Sequence, residues 1–347
     1  MLPAGLALLT GLDAALVLLG LPAPVSTDRL PQVHGMLLVI GFVGTVIALE
    51  RAIALRRPYG FSAPVLTGLG SVLLLSPAPL PVGKSVQLLG MIALIAVYVP
   101  LWRRQRDVAV LVQAFGAVLA VGALTLWLGG SPVPVLLPWL IGFIVLTIAG
   151  ERLELARLSM SGGADRNLAL LGLGLTVGVV SSLLWPPVGY PLLGLSLIGL
   201  TCWLAAHDVA RRTIRSGGLP RFIAGCMLAG YLWLAVAGSV WLTTGPAWAG
   251  ARYDAVVHAV FLGFTISMIM AHAPVIMPAV LRRPLPYRPV MWAAAFGLHA
   301  SLLTRLWVGD SLGVRAVWQA AGVVNILSLL VFLMIAIWSA ARAGNQR

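Results

Sequence analysis

The stretch DAVVHAVFLGFTISMIMAHAPVIMPAVL, residues 254–281, has three ionisable side chains, Asp254, His258 and His272, in 28 positions. As a helix rising about 1.5 Å per residue, it is long enough to cross the roughly 30 Å hydrocarbon core of a bilayer. Water would meet apolar side chains on nearly every face of such a helix, so the segment reads as a membrane span.

Working outward, comparable apolar runs occupy 2–21, 31–51, 61–80, 85–102, 108–129, 133–151, 167–185, 188–207, 221–244, 288–308 and 313–340. With 254–281 they make twelve predicted transmembrane helices. The composition agrees: 60% of residues are hydrophobic, 10% are charged and the mean hydropathy is +1.00. Soluble domains carry about a quarter charged residues, so a soluble globular fold is excluded. The connections are short and rich in Pro, Gly and Arg, which leaves a single all-α transmembrane domain over 1–347. The first run has no basic leader and carries Asp13 in its middle, so it is expected to be a retained helix and not a signal peptide. Cys202 and Cys226 fall in apolar runs and read as small buried hydrophobes.

A formal net charge of +13 would suggest nucleic acid as a partner of a soluble protein. Here the basic residues follow a topological rule. Of 23 Lys and Arg residues, 18 follow even-numbered spans, in clusters such as Arg51, Arg56 and Arg57, Arg103, Arg104 and Arg106, or Arg282, Arg283 and Arg288. Basic loops stay on the cytoplasmic side, so the pattern predicts a multi-pass bacterial inner-membrane protein with both termini cytoplasmic. The partner is the lipid bilayer, and nucleic acid is set aside.

Three segments share a Gly-Phe pair followed by a polar group: Gly41-Phe42 to Glu50, Gly142-Phe143 to Glu151, and Gly263-Phe264 to His272. They fall in the second, sixth and tenth spans, which suggests three four-helix units, 1–102, 108–207 and 221–342.

Ionisable groups inside a bilayer are costly and call for partners or ligands. His34 and His258 lie near the starts of the second and tenth spans, which run in the same direction, so the two imidazoles sit at similar depth. That is the arrangement axial ligation of a b-type haem needs, although two backbone-bonded histidines are the plainer alternative. Arg305, inside the eleventh span, is a candidate partner for haem propionates or for Asp310. His299 is a candidate third metal ligand, which would give a copper site, or a hydrogen-bonded core histidine. Asp254, four positions before His258, is placed to orient its second ring nitrogen or to cap the helix. At 3.6 residues per turn His272 shares a face with His258, about 21 Å away along the axis. Asp13, Glu50, Glu151 and His272 are the proton-relay candidates. The chain has no phosphate-binding glycine loop, no Cys-x-x-Cys-His haem attachment and no cysteine cluster.

The stretches HAVFLGFTISMIMAHAPVIMPAV (258–280) and LHASLLTRLWVG (298–309) resemble the late helices of NnrS-type membrane proteins. That family is associated with the nitric-oxide response and with haem and copper. More distantly, histidines on the second and tenth of twelve helices look like the catalytic subunit of haem-copper oxidases and nitric oxide reductases. The resemblance implies that His34 and His258 are the axial ligands of a low-spin haem. Position 256 is Val, and neither the sixth nor the seventh span has a histidine, so a full oxygen-reducing haem-copper centre is not expected.

The leading expectation is a bis-histidine haem protein engaged in redox chemistry or in relieving nitrosative stress, with an electron donor or partner subunit. The alternatives are a proton-coupled transporter and an accessory subunit of a membrane complex.

Overall fold

The computed structural model describes residues 1–156, 163–281 and 284–344; Arg282 and Arg283 lie outside them. Every described element is helical or a connection, with no strand among the described residues. The helices are α1 (Leu2–Leu18), α2 (Arg29–Met36, passing through a π-helical stretch Leu37–Gly44 into Thr45–Leu55), α3 (Ser62–Leu75), α4 (Leu80–Gln105), α5 (Val108–Leu128) and α6 (Val133–Ala156). They continue as α7 (Ala164–Leu184), α8 (Pro186–His207), α9 (Gly218–Thr244) and α10 (Gly250–His258, a π-helical stretch Ala259–Ile266, then Ser267–Leu281). The last two are α11 (Met291–Thr304, turning π-helical over Arg305–Ser311) and α12 (Arg315–Gly344). Each predicted apolar run therefore contains a helix, though not over its whole length: α1 stops at Leu18, α3 at Leu75, and α11 starts only at Met291. Among the described residues, ten helices are long and apolar enough to cross a membrane; Leu2–Leu18 is shorter.

The exteriors are apolar, as a lipid-facing surface requires: Leu170, Leu232 and Phe296 are at least 60% exposed. Cys202 belongs to this outer face and Cys226 is buried, so only one of the two is the core hydrophobe expected. In a bilayer an apolar stretch does not distinguish core from exterior, because lipid accepts the same side chains.

Helix starts and stops follow local chemistry. Asp107 caps α5 by accepting the Ala109 N–H at 2.9 Å. Two arginines end helices in the left-handed region, Arg56 (φ 57°) after α2 and Arg106 (φ 52°) after α4.

The chain divides into two compact units, 1–155 with 165–169, and 156–164 with 170–347. The first holds α1–α6 and the second most of α7 through α12. Small residues let neighbouring helices approach closely within each unit. In the first unit, α5 and α6 approach so closely that a Cβ on Gly116 would stand 2.8 Å from the Phe143 carbonyl oxygen. In the second, α8 and α9 meet backbone to backbone, with a Cβ on Gly194 reaching 2.5 Å from the Gly238 carbonyl oxygen.

The three π-helical stretches among the described residues were not foreseen. A π turn pairs residue i with i−5 and holds more residues than an α turn, so it widens the helix and shifts the angular phase of everything after it. A hydroxyl in or just after each stretch lies against a carbonyl five residues back: Thr45, following the first, to Ile40 at 3.5 Å, Thr265 to Val260 at 3.0 Å and Ser311 to Leu306 at 2.9 Å. Gly41-Phe42 and Gly263-Phe264 lie inside π stretches, whereas Gly142-Phe143 lies in regular α-helix.

Candidate functional site

In the second unit the chemistry collects where α10 and the π end of α11 meet. Asp254 and His258 are one α-turn apart on the first part of α10. His258 Nδ1 lies 2.9 Å from the Asp254 carbonyl oxygen and 3.2 Å from its carboxylate Oδ1. Both neighbours only accept, so Nδ1 carries the proton and Nε2 keeps the lone pair. Arg305, 6% exposed, donates from Nε to Asp254 Oδ2 and from Nη2 to Asp254 Oδ1, each at 2.8 Å. Its guanidinium carbon sits 4.9 Å from the Trp318 ring centroid on α12. The result is a chain of contacts, Trp318 to Arg305 to Asp254 to His258, which fixes the imidazole in one tautomer and one orientation. Asp310, the other partner expected for Arg305, has a buried Oδ2 with no hydrogen-bond partner.

His299 on α11 is held differently. Its Nδ1 accepts the Trp233 indole N–H at 3.0 Å, and its Nε2 lies 3.5 Å from Ser267 Oγ. An indole N–H can only donate, so the lone pair of His299 is on Nδ1 and is already engaged. This histidine therefore does not fit the role of copper ligand. Trp233 also presses on the π stretch of α10, where a Cβ on Gly263 would come within 2.3 Å of its ring. Nothing in the residue spacing announced this pair, which is brought together by the approach of α9 to α11.

His272 is buried on the last part of α10, its Nδ1 donating to the Met268 carbonyl at 2.7 Å. The common face with His258 inferred from 3.6 residues per turn does not carry over, because eight π-helical residues stand between the two.

In the first unit, His34 stands three residues before the π stretch of α2, and His258 stands immediately before that of α10. Its Nδ1 lies 2.9 Å from the Gly11 carbonyl of α1, which again puts the proton on Nδ1 and the lone pair on Nε2. Beside it, a Cβ on Gly35 would touch only Val133 Cγ1, at 3.9 Å. Asp13 accepts the exposed Val25 N–H at 3.2 Å, because α1 ends at Leu18 and the following loop folds back on it. It is thus tied to a loop residue twelve positions on.

The same unit gathers the carboxylates that the sequence singled out at the arginine-rich ends. Arg51 bonds Glu50 through Nη2 and Glu154 Oε2 through Nη1, the latter at 3.1 Å. Gln113 Nε2 donates to the same Glu154 oxygen at 3.1 Å. Glu151 is one helical turn from Glu154, and its Oε1 is buried with no hydrogen-bond partner. Glu154 and Gln113 were missed by the sequence reading, though Glu154 is visible as the next turn after Glu151.

Among the described residues, no group of three or more His, Cys, Asp or Glu side chains converges as a metal cage. His34 and His258 belong to different compact units. No curated protein and no solved structure matches the chain. A family model described as a domain of unknown function, DUF8744, matches residues 1–341, and the chain belongs to that family.

Proposed function

We propose that this protein is a multi-pass haem protein of the bacterial inner membrane, similar to NnrS-type proteins, that acts in redox chemistry or in the response to nitric oxide. In this reading twelve helices cross the bilayer with both termini cytoplasmic, and His34 and His258 supply the two axial nitrogens of a b-type haem. The observation that carries it is the buttressed imidazole of His258, with Asp254 on its Nδ1 and Arg305 locking Asp254 by a two-point fork. Metal-bound histidines characteristically hold their other ring nitrogen on a carboxylate or carbonyl, and His34 does the same on Gly11. That the two serve one haem is what the resemblance to the haem-binding families implies.

Bound there, haem would supply one-electron exchange at iron. The chain's own part is to engage Nδ1 of each imidazole on an acceptor and to keep His258 from rotating. Arg305 serves by fixing Asp254, which leaves propionate pairing as a secondary use of its remaining N–H donors. Copper through His299 is not part of the proposal, since its lone pair is engaged by Trp233. Of the relay candidates in the transporter alternative, Asp13 is engaged at a loop.

The test is an absorption spectrum of protein purified from haem-replete cells. A Soret band and a reduced-minus-oxidised difference spectrum are expected, both lost in His34→Ala and in His258→Ala and kept in His299→Ala. A colourless preparation, or a spectrum unchanged in both of the first two variants, overturns the proposal.

A further inference from the structure

A second polar centre lies in the first unit, away from the histidines. From α2 come Glu50 and Arg51, from α4 Tyr98, from α5 Gln113, and from α6 Glu151, Arg152 and Glu154. Asp107 caps α5 nearby, and Arg104 of α4 is engaged on the Ala54 and Leu55 carbonyls. The acids outnumber the guanidiniums, and Arg51 spends its fork on Glu50 and Glu154. Arg152 is buried beside Glu151 and has interactions of its own.

Two further side chains mark the centre as built to receive something. Tyr98 is 2% exposed, its hydroxyl has no hydrogen-bond partner, and it lies within electrostatic reach of Arg51, Glu50, Glu151 and Glu154. Gln113 is 1% exposed and anchored on Glu154 through Nε2, yet its Oε1 has no partner. Its side chain packs against Gly150, the residue before Glu151. An orphaned carboxylate oxygen, an orphaned amide oxygen and an orphaned phenol are thus buried together. Two of these are acceptors only, and such a set lacks hydrogen.

We propose that this cluster is a proton-binding site, with the proton carried on Glu151. A proton removes the surplus negative charge and converts an acceptor-only carboxylate into a donor for a neighbouring oxygen. The group taken up is a bare proton, bound to a carboxylate oxygen with no other bond made or broken.

The experiment is infrared spectroscopy on the full chain in lipid nanodiscs at neutral pH, in H2O and D2O. A protonated-carboxyl stretch that shifts in D2O is expected in the wild type, lost in Glu151→Gln and kept in Asp13→Asn. Thermal unfolding adds a second readout, in which wild-type stability declines toward alkaline pH as the proton leaves, whereas Glu151→Gln, fixed in the neutral form, loses that decline. A wild type with no such band, or a Glu151→Gln variant with the wild-type band and pH dependence, overturns the proposal. Neither result depends on haem, so this site and the histidine reading stand or fall separately.

Discussion

Arg305 and Asp254 meet as a planar fork on a planar carboxylate, two N–H donors on two oxygens at 2.8 Å each, and one of those oxygens also lies against the ring of His258. Lysine keeps the charge and loses the second point of attachment, so Arg305→Lys is expected to cost about 1–3 kcal/mol. Arg305→Met leaves Asp254 without its cation and is expected to cost about 3–5 kcal/mol. Denaturant unfolding in detergent measures both. Equal losses would show that only the charge matters and that the fork has no structural role.

The Trp233 to His299 bond is expected to be a coupled pair. Trp233→Phe leaves the His299 lone pair buried without a donor, at about 1–3 kcal/mol. His299→Leu leaves the indole N–H unpaired at a similar cost. A double-mutant cycle should show a coupling of about 0.5 kcal/mol or more, and strictly additive losses would contradict the bond.

Two glycines on the histidine-bearing helices should respond differently to one added methyl group. At Gly263 the methyl meets the Trp233 ring at 2.3 Å, so Gly263→Ala is expected to lose about 1–3 kcal/mol through overpacking. At Gly35 the nearest atom is 3.9 Å away, so Gly35→Ala should fall within about 0.5 kcal/mol of wild type. Melting temperatures that moved together would remove the packing argument.

Arg56 and Arg106 sit at positive φ, where a Cβ crowds the following carbonyl at a cost of roughly 1–2 kcal/mol. Replacing either by glycine should raise the unfolding free energy by about 1 kcal/mol, measured as a shift in denaturant midpoint. A drop on replacement would mean that the guanidinium contributes more than the strain costs.

The positions of the helices were legible because the bilayer imposes a length and a composition that no other environment does: the run at 108–129 became Val108–Leu128, and that at 188–207 became Pro186–His207. Asp254 beside His258 was legible from a spacing of one turn. What lay hidden depended on contacts between distant segments or on departures from 3.6 residues per turn. The partner of His299 is a tryptophan on another helix, the partner of His34 is a backbone carbonyl on α1, and Asp13 is claimed by a loop residue twelve positions on. The phase of His272 against His258 was misread because regular helix was assumed through Ala259–Ile266. The Gly-Phe pairs were the available signal for the widened turns, and they mark them in two of three cases.

Those widened turns have a consequence for how the family can vary. In α2 and in α10 a histidine stands at one end and an ionisable group, Glu50 or His272, at the other, with the wide stretch between them. Removing one residue from such an eight-residue stretch takes away one residue's turn, but the tighter α winding of the seven that remain adds back about as much, so the two ends keep nearly the same bearing. The middle of each span thus works as slack in the winding, a place that absorbs a single insertion or deletion while both ends stay seated.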